Sequence, residues 1–153
     1  MCTDGVSDRH DVSAVRARFR RADHPIAYGY DERTSVFRED RTLYAVRRAD
    51  EDRVVLQWGT ELPKEDKDDD EGEDDDAKDE GEGKDKEKEK KEPIVVSGGI
   101  KGGDELMGKP AILDLPTGRG RVVAFDFDPI HRYLTLSDFR LVWNALLNWN
   151  DLR

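Results

Sequence analysis

Between Glu61 and Glu92 the chain carries 18 acidic and 8 basic side chains and almost nothing that could be buried. Leu62 and Ala77 are the only apolar side chains in that run apart from Pro63. Such a stretch cannot offset the entropy lost on ordering, so it is expected to be a disordered, acidic insert. The remainder of the 153 residues is charge-balanced, because the net charge of −10 for the whole chain equals that of the tract. Inside the tract every cation is lysine, whereas outside it only Lys101 and Lys109 are. That shift marks an inserted low-complexity segment. Without the first 11 residues, about 50 precede the tract and about 60 follow it, and at those sizes folding alone is marginal. One domain built from both flanks is therefore expected, with the tract as a surface excursion whose closure cost grows slowly with length.

The flanks read as short strands followed by one helix. Val15, Ala17 and Phe19 alternate within Val12 to Phe19, as a strand requires. His24-Pro25-Ile26-Ala27-Tyr28-Gly29-Tyr30 is turn-rich; Pro25 holds His24 extended, and Gly29 permits a bend. Thr34 to Phe37, Thr42 to Val46 and Arg53 to Trp58 are strand candidates, the last two separated by a polar turn over 48–52. Beyond the tract, Ile94 to Val96 is a strand and Leu106 to Pro110 a turn. Ala111 to Leu115 and Arg121 to Phe127 form a hairpin across Pro116 to Gly120. Phe139, Val142, Trp143, Leu146 and Leu147 follow amphipathic helical spacing and are expected to pack on the core. Thr135 or Ser137 can cap that helix, and Asp138 suits its positive end. The fold expected is α/β: a small sheet with a C-terminal β-hairpin and a packed amphipathic C-terminal helix, built by residues 12–60 and 93–153. Residues 61–92 form the disordered loop and residues 1–11 a flexible N-terminus.

Little in the chain points to chemistry. Cys2 is the only cysteine, so an intramolecular disulfide and a cysteine-based metal cage are both excluded. As a nucleophile it would need a base and an oxyanion hole around a frayed terminus. His10, His24 and His131 lack the helical i, i+4 spacing of a zinc pair. The weak metal candidates are Asp126, Asp128 and His131: two carboxylates on one side of a strand with an imidazole after the bend. The plainer alternative is that Asp128 opens a turn before Pro129. Gly118-Arg119-Gly120 has the glycines of a phosphate loop but lacks the lysine and helix that follow one, so a hairpin turn is expected. Trp58, Trp143 and Trp149 are expected at the core or its edge. An acidic tract beside a neutral domain disfavours nucleic acid. No apolar run approaches the roughly 20 residues that span a bilayer. Met1 to Arg21 has no apolar centre and does not read as a signal peptide, and localisation stays unassigned. Asp68-Asp69-Asp70 and Asp74-Asp75-Asp76 lack the register of a calcium loop, though the tract could attract cations or a basic partner.

Several segments together resemble a known family. Leu106 to Asp114, Gly118 to Phe125 and Phe139 to Leu146 are similar in order and spacing to the C-terminal region of large bacterial zinc carboxypeptidases of the carboxypeptidase A-like family. His24 to Tyr30 and Thr34 to Phe37 resemble its preceding segment. In that family a peptidase domain is followed by a glutamine-amidotransferase-like α/β domain, and the acidic tract falls where the family has a short loop. The resemblance places zinc and the catalytic glutamate in the separate peptidase domain, so it carries no catalytic residue and no cofactor onto this chain. It implies a non-catalytic accessory domain whose partner is a zinc peptidase domain or another protein. Two alternatives remain open: an independent module binding cations or a basic partner through the acidic loop, and a small metal-dependent hydrolase.

Overall fold

The computed structural model describes residues 13–39, 42–61, 92–100, 102–133 and 135–152. The expected N-terminal tail with Cys2 and His10, and the body of the acidic tract, lie outside those residues.

Alternation in β1 (Ser13–Phe19) buries Ser13, Val15, Ala17 and Phe19 and leaves the intervening residues half-covered. Its partner β2 (Arg33–Arg38) is antiparallel along nearly its whole length, with Val15 opposite Val36. The other edge of β1 is shared. β3 (Val54–Trp58) pairs with Ala17 to Phe19, and β4 (Val95–Gly98) pairs with Ser13 to Val15. The changeover falls at Arg16, whose N–H donates to the Ile94 carbonyl (2.8 Å) and whose carbonyl accepts from the Gly59 N–H (2.8 Å). Both ends of the acidic tract are thus fastened to one strand. Arg18 donates to the Thr60 carbonyl at 3.1 Å, and Arg16 donates from Nε to the Pro93 carbonyl at 3.0 Å.

Every residue of β3 is buried, as befits the middle strand. It pairs with β5 (Pro110–Thr117), which forms a hairpin with β6 (Gly120–Phe125). The sheet runs β2-β1-β3-β5-β6, with β4 attached to β1, and every pairing is antiparallel. It curls into a half-barrel around Val15, Phe19, Leu56, Trp58, Ile112 and Phe127. Trp58 meets Phe127 edge-on at 5.8 Å, and Phe125 meets Phe127 the same way at 5.7 Å. A short helix α1 (Gly103–Leu106) buries Leu106 before β5. The final helix α2 (Leu136–Leu147) lies against the turn at Pro25–Ala27 and against β2.

Several local expectations shift. The hairpin loop is two residues, Gly118 and Arg119, not five, because Thr117 pairs directly with Gly120. Gly118 sits first in the loop at φ 59°, a position that favours glycine. Residues 42–46 form no strand: Tyr44 reaches the Phe125 carbonyl with its hydroxyl (3.1 Å), so a side chain takes a group that strand pairing would have used. Residues 48–53 wind into a 3-10 turn with nothing buried. Among the described residues no helix is long and apolar enough to cross a membrane.

The largest correction concerns α2. Of the five residues expected to pack inward, Trp143, Leu146 and Leu147 are exposed, and Phe139 and Val142 are only half-covered. Trp149 is exposed too, so of the three tryptophans only Trp58 is in the core. The inward face instead carries Asp138, Leu141, Asn144, Ala145 and Asn148. At about 100° per residue, the apolar stripe is centred nearly opposite Leu141. Polar anchors set this orientation. Asn144 Nδ2 donates to the carbonyls of Ile26 (2.9 Å) and Tyr28 (2.8 Å). Asp138 accepts from the Phe37 N–H on β2 (3.0 Å), and Arg140 donates to the Gly29 carbonyl (2.6 Å). Thr135 occupies the N-cap position without a side-chain cap bond to the helix backbone.

Candidate interaction surface and buried polar centres

Three polar centres lie under the sheet and helix. In the first, His24 and Asp114 are wholly buried, and His24 Nε2 stands 3.0 Å from Asp114 Oδ2. His24 Nδ1 accepts from the Ile26 N–H at 3.3 Å, so Nε2 carries the proton given to Asp114. Arg121 donates from Nε to Asp114 Oδ1 at 2.8 Å and from Nη2 to Oδ2. Burial pushes His24 below its ordinary 6.5, against the opposing pull of Asp114. Burial alone would raise Asp114, but bonds from Arg121 and His24 outweigh it and hold the carboxyl below the usual carboxylate range. With both imidazole nitrogens engaged and no exposed side-chain surface, His24 braces the turn against the hairpin.

The second centre is Asp138, which burial pushes upward against the bonds from Phe37 N–H and the Ser137 hydroxyl. Tyr30, donating to the Ser137 carbonyl beside it, is pushed up to about 12, first by burial and then by Asp138. The third is Asp126, which accepts from Trp58 Nε1 at 3.0 Å; Arg38 Nε stands 3.9 Å away.

The three weak metal candidates are directed to different partners. Asp126 serves Trp58. Asp128 accepts from the Ile130 N–H at 3.0 Å, which opens the turn before the last helix. His131 Nδ1 faces Glu39 Oε1 at 3.0 Å, and its ring stacks on Phe37 at 4.6 Å. Among the described residues no three His, Cys, Asp or Glu side chains converge as metal ligands. Asp126, Asp128 and His131 are thus not brought together as one donor set.

The outward side of the molecule is built differently. Leu136 (66% exposed), Trp143 (57%), Leu146 (59%), Leu147 (76%) and Trp149 (68%) form one apolar surface on and just beyond α2. Alongside it a groove of about 690 Å³ separates α2 from the hairpin, lined by Val123 and Phe125 of β6 and by Val142, Ala145, Leu146 and Trp149. Among the described residues Arg119 and Arg121 are its only charged lining residues. An exposed apolar surface beside a groove, on a domain of polar composition, makes this the candidate interaction surface.

Sequence reasoning reached the right helix and the wrong side of it. The missed signal was Asn144, inside the helix. Asn is poor in a helix interior unless a tertiary partner uses its side chain. His24 and Asp114 are 90 positions apart, and no local pattern joins them.

The fold and surface define an antiparallel half-barrel that presents an apolar helix. No protein-family profile, curated protein or solved structure matches the chain.

Proposed function

We propose that this chain is a non-catalytic accessory domain that docks against a partner protein, the partner being the peptidase domain of a carboxypeptidase A-like zinc enzyme. One observation carries the docking: α2 turns its polar side to the core and its apolar side outward. Isolated in water, that arrangement leaves the hydrophobic gain of five large side chains unrealised. Covering them would contribute on the order of 5–10 kcal/mol, since full burial of such a side chain is worth about 1.5–3 kcal/mol and each is already partly covered. The choice of partner rests on the ordered resemblance of Leu106 to Asp114, Gly118 to Phe125 and Phe139 to Leu146 to that family's C-terminal region.

Calorimetric titration of the purified chain with a zinc peptidase domain of that family tests the reading. Saturable binding is expected, weakened at least tenfold by the pair Trp143→Asp and Leu147→Asp. Absence of binding would overturn the choice of partner, and binding untouched by the pair would overturn the docking face. Chelator-sensitive release of C-terminal residues from peptides by the purified chain would overturn the non-catalytic assignment.

A further inference from the structure

The gross gain from covering α2 is comparable to the cost of association. A second, directional contribution is therefore required, and the groove beside α2 supplies two. The first is backbone. Among the described residues β6 is an edge strand, paired only with β5. Its two-residue hairpin makes Thr117 and Gly120 the first hydrogen-bonded pair, so the alternation of an antiparallel ladder turns the N–H and C=O of Arg121, Val123 and Phe125 outward. The Phe125 carbonyl, which accepts from Tyr44, fits that phase. The second is charge. Arg121 is engaged by Asp114 beneath it, while Arg119 at the exposed tip makes no ion pair among the described residues.

We infer that the groove accepts an extended apolar segment of a partner protein, added antiparallel to the free edge of β6, with an Asp or Glu side chain at the end beside Arg119. Strand addition satisfies the outward groups of Arg121 and Val123, and alternate side chains of the segment enter between Phe125 and Leu146. Antiparallel addition matches every other pairing in the sheet and brings the C-terminal end of the segment to the hairpin tip. Arg119, the one groove cation without an ion pair among the described residues, then selects a carboxylate by charge complementarity. This inference rests on the docking face proposed above and specifies what that face receives.

The test is calorimetric titration of the full chain with two C-terminally amidated peptides of alternating valine and threonine, one ending in two glutamates and one in two lysines. Amidation leaves side chains as the only carboxylates. The glutamate peptide is expected to bind at least tenfold more tightly, Arg119→Glu to reverse that preference, and Leu146→Asp to abolish binding of both. Urea midpoints of the two variants should match the parent, since both positions are exposed. Equal binding of the two peptides, or a preference unmoved by Arg119→Glu, overturns the charge selection. Failure of both peptides to bind overturns strand addition. Binding of the peptidase domain reports on the docking face separately, so a failure here and a failure there are distinguishable.

Discussion

Removal of either charge of the Asp114–Arg121 pair tests how the half-barrel is closed, and the two removals should differ. In Asp114→Asn the shape is kept and the charge is lost. The asparagine presents one acceptor and one NH₂ where two donors, Arg121 and His24, converge. Arg121 is about one-fifth exposed and can regain water, so losing its charge-assisted bonds should cost about 1 kcal/mol, below the usual 1.5–3. His24 has no exposed side-chain surface, and an N–H left facing an NH₂ there costs about 1–3 kcal/mol. The sum is about 2–4 kcal/mol. In Arg121→Ala a carboxylate with no exposed surface keeps only His24, and stranding a buried charge costs about 3–5 kcal/mol. Arg121→Ala should therefore be the more damaging, although Arg121 is the more exposed residue. Urea unfolding at pH 7 with unchanged slope measures both.

The pH dependence supplies a second arm. Both His24 and Asp114 are lowered on folding, so each contributes stability above its unfolded value that is lost as pH falls through its folded value. The parent should weaken first below about 6.5, as His24 protonates in the unfolded chain, and again below about 3.8, as Asp114 does. Asp114→Asn should keep the first decline and lose part of the second. A reversed order of damage at pH 7, or an acid limb identical in parent and Asp114→Asn, would refute this account of the centre.

Three further outcomes follow from the placement of α2 and of the tract. Leu141→Ala should cost about 2–5 kcal/mol, because Leu141 is fully buried, while Leu147→Ser should stay within about 0.5 kcal/mol at 76% exposure. Paired urea curves check the contrast, and equal costs would mean that the helix sits the other way round. Asn144→Ala should destabilise by about 1–2 kcal/mol, two lost hydrogen bonds being partly offset by the better helix propensity of alanine. Faster amide exchange across 136–147 would report the loosened helix. Replacing residues 62–91 with about six Gly and Ser residues should leave the sheet intact, because Thr60 and Pro93 are both tied to β1. If the tract is the solvated excursion its composition predicts, the shorter loop should gain about 1–2 kcal/mol by closure entropy, read as a raised Tm.

What was legible in the sequence followed a physical rule. Strand β1 announced itself through Val15, Ala17 and Phe19 because one of its faces is core and the other is half-wet, and period-two burial leaves that trace. The hairpin was visible because Gly118 sits where a two-residue reversal needs a positive φ. Asp128 was readable as a turn opener because its bond reaches only two residues on. The buried centres were not readable, because His24 meets Asp114, and Trp58 meets Asp126, only after the sheet has curled.

Helix α2 failed for a more instructive reason. Periodicity shows that a helix has an apolar side; it does not say which protein that side belongs to. For a helix whose apolar side covers its own core, Asp138 and Asn144 should be the solvated residues, yet they hold the bonds to Phe37, Ile26 and Tyr28. Reversing the helix to bury Trp143 and Leu147 would break those bonds and strip water from whatever partners replaced them. The polar side is thus committed inward by specific geometry, while Leu136, Trp143, Leu146 and Leu147 of the apolar side stay largely exposed. A strong amphipathic signal combined with a poor helix former inside its polar face is therefore a sequence mark of a helix that turns its apolar side outward. Read that way, Asn144 says as much about the orientation of this helix as the tryptophan beside it.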